Sequence, residues 1–353
     1  MILTILLFLL LLTIVIGIHE FGHLIAAKLF GVYCYEYSFG MGPLLWKKQT
    51  KETQYSLRAI PIGGYVSMAG GAGDDSHPET EVPKDRLLKS KPTWQRVIIM
   101  LAGVEMNFLL CFVILSVCGG ITGRMLHETN HVTITVSENS AAETSGLKTG
   151  DVIKSLSGVG YTLESPKNSS EIGQFTKDHS GEEIVFEVIR DGNVVTVPVK
   201  PDFNEETKKY TYGIYMSNFE NVPVNFLTCW KYGILEMGTI AKMTVEALRD
   251  ALVNRNIDQV SGPVGVYTAT KEAASRGIME YLLLMAQMSL SVGIFNLIPL
   301  PILDGGQVLI TIIEGAAGRE MNKRLKIGLF GACWAALIML MVLITAHDLT
   351  IIS

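Results

Sequence analysis

The run LLLLTIVIGIHEFGHLIAAKLFG, residues 9–31, limits what this chain can be more than any other part of it. It lies in an apolar stretch, residues 2–27, long enough to cross about 30 Å of hydrocarbon as a helix. Yet that stretch carries His19, Glu20 and His23. Ionisable side chains inside a bilayer are costly and rare, and they mark functional sites unless something compensates them. On an α-helix, residues i and i+4 share a face, so both imidazoles of H-E-x-x-H can reach one metal ion. A glutamate beside the first histidine suits a general base acting on water at that metal. The pattern is short enough to arise by chance, but inside a hydrophobic helix chance is a poor explanation.

Composition agrees with a membrane setting. The 353 residues have a mean hydropathy of +0.33, with 48% hydrophobic and 18% charged side chains. That balance suits an integral membrane protein with a sizeable polar part, not a disordered chain. A net charge of −5 gives no sign of nucleic-acid binding. No Lys or Arg precedes the first apolar run, and no small-residue cleavage site occurs before His19. Residues 2–27 therefore read as a retained span and not as a signal peptide. Cys34, Cys111, Cys118, Cys229 and Cys333 lack C-x-x-C spacing and read as small membrane-core residues.

Four segments are long and apolar enough to span: 2–27, 97–121, 281–300 and 327–346. The third is interrupted by Gly293, Asn296 and Pro299, so it is expected to end in broken helix. Lys and Arg concentrate in residues 28–96 and in Arg319, Lys323, Arg324 and Lys326. The positive-inside rule then puts those short loops in the cytoplasm, and both termini and the long 122–280 segment outside. His19, roughly 27 Å along the first helix from its outer end, should lie within the membrane nearer the cytoplasmic face.

Between the first two spans, 54–60 and 65–68 look like strands punctuated by glycines, predicting one or two hairpins. The Gly- and acid-rich stretch 70–85, His77 included, reads as a mobile cytoplasmic loop. From 131 to 203 the composition turns soluble, and "RDGN" marks a tight turn between two alternating strands. Residues 226–254 are amphipathic at helical spacing, as expected of a helix packed on that domain or lying at the membrane surface. The predicted fold is an α-helical polytopic membrane protein with four transmembrane helices, a membrane-associated β-hairpin insertion and one extracytoplasmic β-rich domain. Its expected divisions are a membrane core over 1–121, the β-rich domain over 122–205, an amphipathic helix and connector over 206–276, and a second part of the core over 277–353.

Catalytic zinc usually has three protein ligands, so two histidines leave the site incomplete. Asp304, in "NLIPLPILDGG" at the end of the third span, is the candidate third ligand. By itself it could equally cap the next helix, with Gly305 and Gly306 providing a bend. The unmatched H-E-x-x-H favours the ligand role. Glu105, the other intramembrane acid, is flanked by Gly103 and Asn107 and is expected to pair with a polar group in the bundle. His127, His131, His179 and His347 lack mutual ligand spacing and read as surface residues.

Together these motifs resemble the site-2 proteases, intramembrane zinc metalloproteases, of the bacterial type that regulates sigma factors. The resemblance rests on "HEFGH", "SFGMGP…IPIGGYV", "AGVEMNF", "SGPVGV" and "NLIPLPILDGG", and residues 131–203 resemble a bacterial protease PDZ domain through "NSAAETSGLKTGDVI". It implies Zn2+ held by His19, His23 and Asp304, with Glu20 as the base. It also implies substrate contacts at Asn296 and at the hairpin residues Gly63, Gly64, Tyr65 and Val66, which align substrate as a strand. Val104 and Glu105 depart from the usual second-span motif. The implied partners are the lipid bilayer of a bacterial cell membrane and membrane-protein substrates, anti-sigma factors or signal-peptide remnants, with no nucleic acid. A metal transporter or metal-dependent scaffold is the competing class. A transporter has no need of Glu20, of a strand-forming insertion or of a domain that handles polypeptide.

Overall fold

In the computed structural model the chain divides into two compact units, Met1–Ile121 with Cys229–Ser353, and Thr122–Thr228. The structure describes residues 2–71, 81–205, 209–253 and 262–352. Most of the expected 70–85 loop, with His77, lies outside the described residues, as does Ser261 of "SGPVGV".

The membrane unit starts with α1 (Ile2–Leu29). This helix is apolar all round, and its buried stripe Leu11, Val15, His19, Gly22 and Ala26 recurs every three to four residues. Gly31, at φ +69°, turns the chain out of it, and Val32 N–H closes on the Ala27 carbonyl at 2.8 Å. β1 (Cys34–Gln49), which the sequence did not suggest, and β2 (Gln54–Met68), which joins the two expected runs 54–60 and 65–68 in one strand, follow. Both strands bend, so Tyr37 pairs with Tyr55 on one side and Val66 on the other, while Tyr55 also meets Lys48. The order across this sheet is therefore 64–68, 34–39, 54–57, 46–49. α2 (Thr93–Thr122) is the second long apolar helix.

The second unit is built from β3 (Arg124–Val136), α3 (Ala141–Ser145), β4 (Val152–Gly158), β5 (Tyr161–Glu164), α4 (Ser169–Asp178), β6 (Ile184–Arg190), β7 (Asn193–Val199), β8 (Asp202–Asn204), β9 (Lys209–Thr211) and β10 (Ile214–Pro223). The main sheet runs β10-β3-β4-β6-β7, with β5 beside β4 and a separate β8–β9 pair. Local sequence accounts for much of this. Ser140 accepts from Glu143 N–H at the start of α3, and Asn168 does the same for Glu171 N–H at α4. Asp191 and Gly192 both take positive φ between β6 and β7, as a two-residue D-G hairpin turn requires. Ile134, Leu156, Ile172, Ile184, Phe186, Val188 and Val199 form a core closed to solvent.

Chain Cys229 onward returns to the membrane unit. α5 (Cys229–Val253) belongs to the membrane unit, which corrects the expectation of a helix packed on the β-rich domain. It lies along α2, Trp230 against Phe112 at 5.6 Å and Gly233 against Ser116, where a Cβ would come within 2.2 Å of Oγ. α6 (Pro263–Arg276) is capped from afar: Asp348 accepts from Gly265 N–H at 2.8 Å and Gly262 N–H at 3.3 Å. That carboxylate at a helix N-terminus, brought by α9 (Lys323–Ile352), went unread in the sequence. Between them lie α7 (Ile278–Asn296) and α8 (Asp304–Ala317). Gly293, expected to break the third span, stays inside α7 and seats it against Phe108 and Asn107. The irregular piece begins after Asn296 and ends at Asp304. Near the other end of α8, Glu314 accepts from Arg96 of α2 at 3.3 Å and from Met321 N–H at 3.1 Å.

Among the described residues four helices are long and apolar enough to cross a membrane: Ile2–Leu29, Thr93–Thr122, Ile278–Asn296 and Arg324–Ala346. The chain is a polytopic membrane protein with β-sheet in both units.

Candidate metal centre and active site

His19 and His23 stand one turn apart on α1, their rings edge to face with centroids 4.8 Å apart and their Nε2 atoms 3.2 Å apart. Asp304 arrives as the first residue of α8, placing Oδ2 2.9 Å from His19 Nε2 and 3.5 Å from His23 Nε2. Among the described residues this is the one cluster of three such groups, with all ligand atoms within 4.8 Å of one another. Both histidines are buried, at 6% and 7% exposure.

The alternative role of Asp304, helix capping, is not what its side chain does. The N-cap position is Leu303, and no side chain caps α8. Gly305 and Gly306 serve close approach and not a bend: a Cβ on either would fall 2.2 Å from the Leu297 carbonyl oxygen or 2.0 Å from that of Leu300. The pair thereby lets the start of α8 press onto the irregular segment and aim Asp304 at the histidines.

The fit to zinc can be read from the hydrogen bonding. Asp304 Oδ2 is close enough to His19 for an ion pair, yet no hydrogen bond of acceptable direction reaches this buried oxygen. His23 Nδ1 lies 2.8 Å from the Ile99 carbonyl, which accepts only a proton-bearing nitrogen. The lone pair of His23 is thus on Nε2, facing Asp304. A carboxylate oxygen and imidazole nitrogens turned to one point repel one another unless a cation lies between them. Two nitrogens and one oxygen, with room for a further ligand, match a catalytic zinc set. On the far side α2 presses close: a Cβ on Gly103 would come 2.5 Å from His23 Nε2, and one on Gly22 would come 2.2 Å from the Ala102 carbonyl oxygen.

Glu20 opens toward a cavity of about 480 Å³ that is lined also by His19, His23, Val66, Asn296, Asp304 and Gln307. The Val66 backbone hydrogen-bonds the Glu20 carboxylate. Gly64 lies beside it, where a Cβ would sit 3.6 Å from Glu20 Cγ and 2.7 Å from the Ser38 carbonyl oxygen. Strand 64–68 pairs on one side only, with 34–39, so its other edge faces this cavity. Segment 54–57 is interior to the sheet, paired on both sides, and offers no edge.

Of the residues expected at the substrate side, Val66 and Asn296 line the cavity, and Gly64 adjoins Glu20. Tyr65 turns the other way, its hydroxyl hydrogen-bonded to Glu36 and its ring under Arg58. Gly63, at φ +86°, shapes the turn and packs near Met41. Glu105 is exposed and has no hydrogen bond or ion pair among the described residues, contrary to the expected pairing in the bundle. It is two residues, or about 200° of helix, from Gly103, which faces the histidines. Sequence reasoning missed Gln307 in the cavity wall and the contact between the Asn107 amide and His19; the i, i+4 spacing of Gly103 and Asn107 was the available signal.

With this geometry in view, the comparison with known proteins is decisive: the family model of Peptidase family M50 matches residues 7–343. The chain belongs to Peptidase family M50. This peptidase is 31% identical over 95% of both chains to a Fusobacterium nucleatum protein whose name assigns it, provisionally, to the zinc metalloproteases. It is 28% identical to the zinc metalloprotease RasP of Bacillus licheniformis and 27% identical to the regulator of sigma-W protease RasP of Bacillus subtilis, each match covering 98% of both chains. The site-2 protease resemblance holds, and the protein is a zinc metalloendopeptidase of membranes.

Proposed function

We propose that this peptidase cuts within or next to the transmembrane segments of other membrane proteins, using His19, His23 and Asp304 to hold zinc and Glu20 as general base. The observation that carries this reading is the convergence of the three ligand atoms beside Glu20 and a free strand edge in one cavity. Bound zinc would supply Lewis-acid polarisation and make water nucleophilic near neutral pH. Glu20 would take a proton from water in the cavity and give it to the leaving amine. A helical substrate hides its carbonyls in backbone hydrogen bonds and must unwind locally. Pairing with the 64–68 edge holds it extended, and the Val66 N–H, engaged by Glu20 here, is a donor at that edge. Asn296, at the cavity wall, suits a contact to substrate backbone.

The natural substrates on this reading are anti-sigma factors or signal-peptide remnants; the name of the Bacillus subtilis relative, a regulator of sigma-W protease, supports the first. The enzyme sits in a bacterial cell membrane with its termini and the 122–205 region extracytoplasmic, by the distribution of Lys and Arg. That region is a PDZ-type domain that screens out bulky, uncut substrates.

Zinc content and cleavage of a model transmembrane peptide, measured on wild type and Glu20→Gln, test the chemistry. The variant keeps its zinc and cleaves about 100- to 10,000-fold more slowly. Loss of zinc, or unaltered cleavage, would remove Glu20 from the base role. The screening role has its own test. Val224 N–H bonds the Gly123 carbonyl at 2.9 Å, so residues 124–223 can be excised and the ends joined without a gap. The shortened enzyme still cuts a short, pre-trimmed substrate and begins to cut the full-length one. Failure on the short substrate in a protein that holds zinc would make the domain a docking site.

A further inference from the structure

His19 can bind a metal through Nε2 only if its proton resides on Nδ1. For His23 the Ile99 carbonyl secures that arrangement. The group facing Nδ1 of His19 is the side-chain amide of Asn107, 3.3 Å away through Nδ2. With that end of the amide forward, an N–H points at Nδ1 and drives the imidazole proton onto Nε2, the atom that faces Asp304. The same orientation leaves Asn107 Oδ1 buried with no hydrogen-bond partner, on a residue at 0% exposure. An N–H aimed at the imidazole nitrogen that must itself carry the proton is the mark of an amide whose two ends should be exchanged.

The amide's place is otherwise set by its surroundings. Ser289 Oγ on α7 donates to the Asn107 backbone carbonyl at 2.9 Å. A Cβ on Gly293 would lie 3.4 Å from Asn107 Cβ, so α7 closes on this residue from behind. Gly103, one turn earlier on α2, has its Cα pressed to the imidazoles. Half a rotation of the carboxamide needs no backbone movement, and it puts Oδ1 where it accepts from His19 Nδ1–H.

We propose that Asn107 is a positioning residue that accepts a hydrogen bond from His19 Nδ1–H and so holds His19 in its metal-binding tautomer. It touches neither substrate nor metal. The inference rests on the zinc-ligand reading above and adds a partner outside the ligand set. Groups that orient a metal-binding histidine commonly contribute about 10- to 100-fold to metal affinity.

Zinc affinity by chelator competition, on the full-length enzyme in detergent, tests it with two variants of similar side-chain size. Asn107→Leu removes the acceptor and should weaken zinc binding about 10- to 100-fold. Asn107→Asp keeps an acceptor and discards the donor, so it should bind zinc at least as tightly as wild type. If Asp is as poor as Leu, the amide acts as donor and the proposal is wrong. Equal affinity of Leu and wild type also overturns it. Should the variants fold poorly, nitrogen-15 NMR of histidine-labelled, zinc-loaded wild type answers the same question: Nδ1 of His19 carries the proton, or the proposal falls. His19→Ala separates the two levels of argument. If it keeps full zinc, the ligand reading fails; if it loses zinc while Asn107→Leu does not, only the positioning role fails.

Discussion

Two aspartates, one in each unit, Asp151 buried and Asp304 half-buried with its Oδ2 closed to solvent, meet the same cost in opposite ways. Asp151, in the β-rich unit, is gripped by Arg190, whose Nε donates to Oδ1 at 2.7 Å and whose Nη2 donates to Oδ2 at 2.6 Å, and Lys148 N–H adds a third bond at 2.9 Å. Burial pushes its pKa up, but the Arg190 bonds outweigh that and hold the carboxyl below the usual range. Asp304, in the membrane unit, shares Oδ2 with two histidine nitrogens and receives no hydrogen bond there. A carboxylate with its own guanidinium is a structural strut. One turned toward imidazole lone pairs has the geometry of the proposed ligand set. Burial of a charge does not mark a site; what the charge faces does.

The sharpest way to break this contrast is to delete each carboxylate. Asp304→Ala should lose zinc and, with it, cleavage to the detection limit, while the β-rich unit stays as stable as before. Asp151→Ala should destabilise that unit by about 1.5–3 kcal/mol, the worth of hydrogen bonds to a charged group, and leave zinc in place. Metal analysis and hydrogen exchange across 124–223 read the two effects. Full zinc occupancy in a folded Asp304→Ala protein would end the ligand assignment.

A smaller effect is expected at the edge of the cavity. Val66→Pro removes one N–H from the free side of strand 64–68 and should slow cleavage about tenfold, the worth of roughly one hydrogen bond, with zinc unchanged. Tyr55→Pro, in the doubly paired segment, should instead disrupt the sheet and lower stability. Cleavage undiminished by Val66→Pro would mean that substrate is held elsewhere.

The smallest effect is a pH dependence. Because the folded pKa of Asp151 is lowered, its stabilisation is complete above the unfolded value of about 3.9 and is lost as pH falls through the folded one. Hydrogen exchange in the β-rich unit, corrected for intrinsic rate, should stay flat from about pH 7 to 5 and rise only below about 4. A rise starting near neutrality would mean that the Asp151–Arg190 pair does not set the pH dependence of this unit.

By itself the sequence determined what depends on neighbours along the chain. The four spans follow from length and hydropathy, the His19–His23 pairing from the 3.6-residue period, and the β6–β7 turn from Asp191-Gly192. Tertiary structure alone decided the rest. Asp304 was legible as an unexplained acid, but only the packing of α8 on residues 297–300 shows that Gly305 and Gly306 aim it at the histidines instead of bending the chain. Segment 54–57 reads as a strand in either case; being interior depends on both arms of β1 folding around it. Glu105 and Asn107 stand two residues apart on α2, one exposed and one against His19, and apart from the i, i+4 spacing of Asn107 from Gly103 the hydropathy around them does not distinguish them. In water, alternation of polar and apolar residues tells a helix's inner face from its outer one. In a bilayer both faces are apolar, so the contrast that reveals orientation is missing, and only the neighbouring helices assign it.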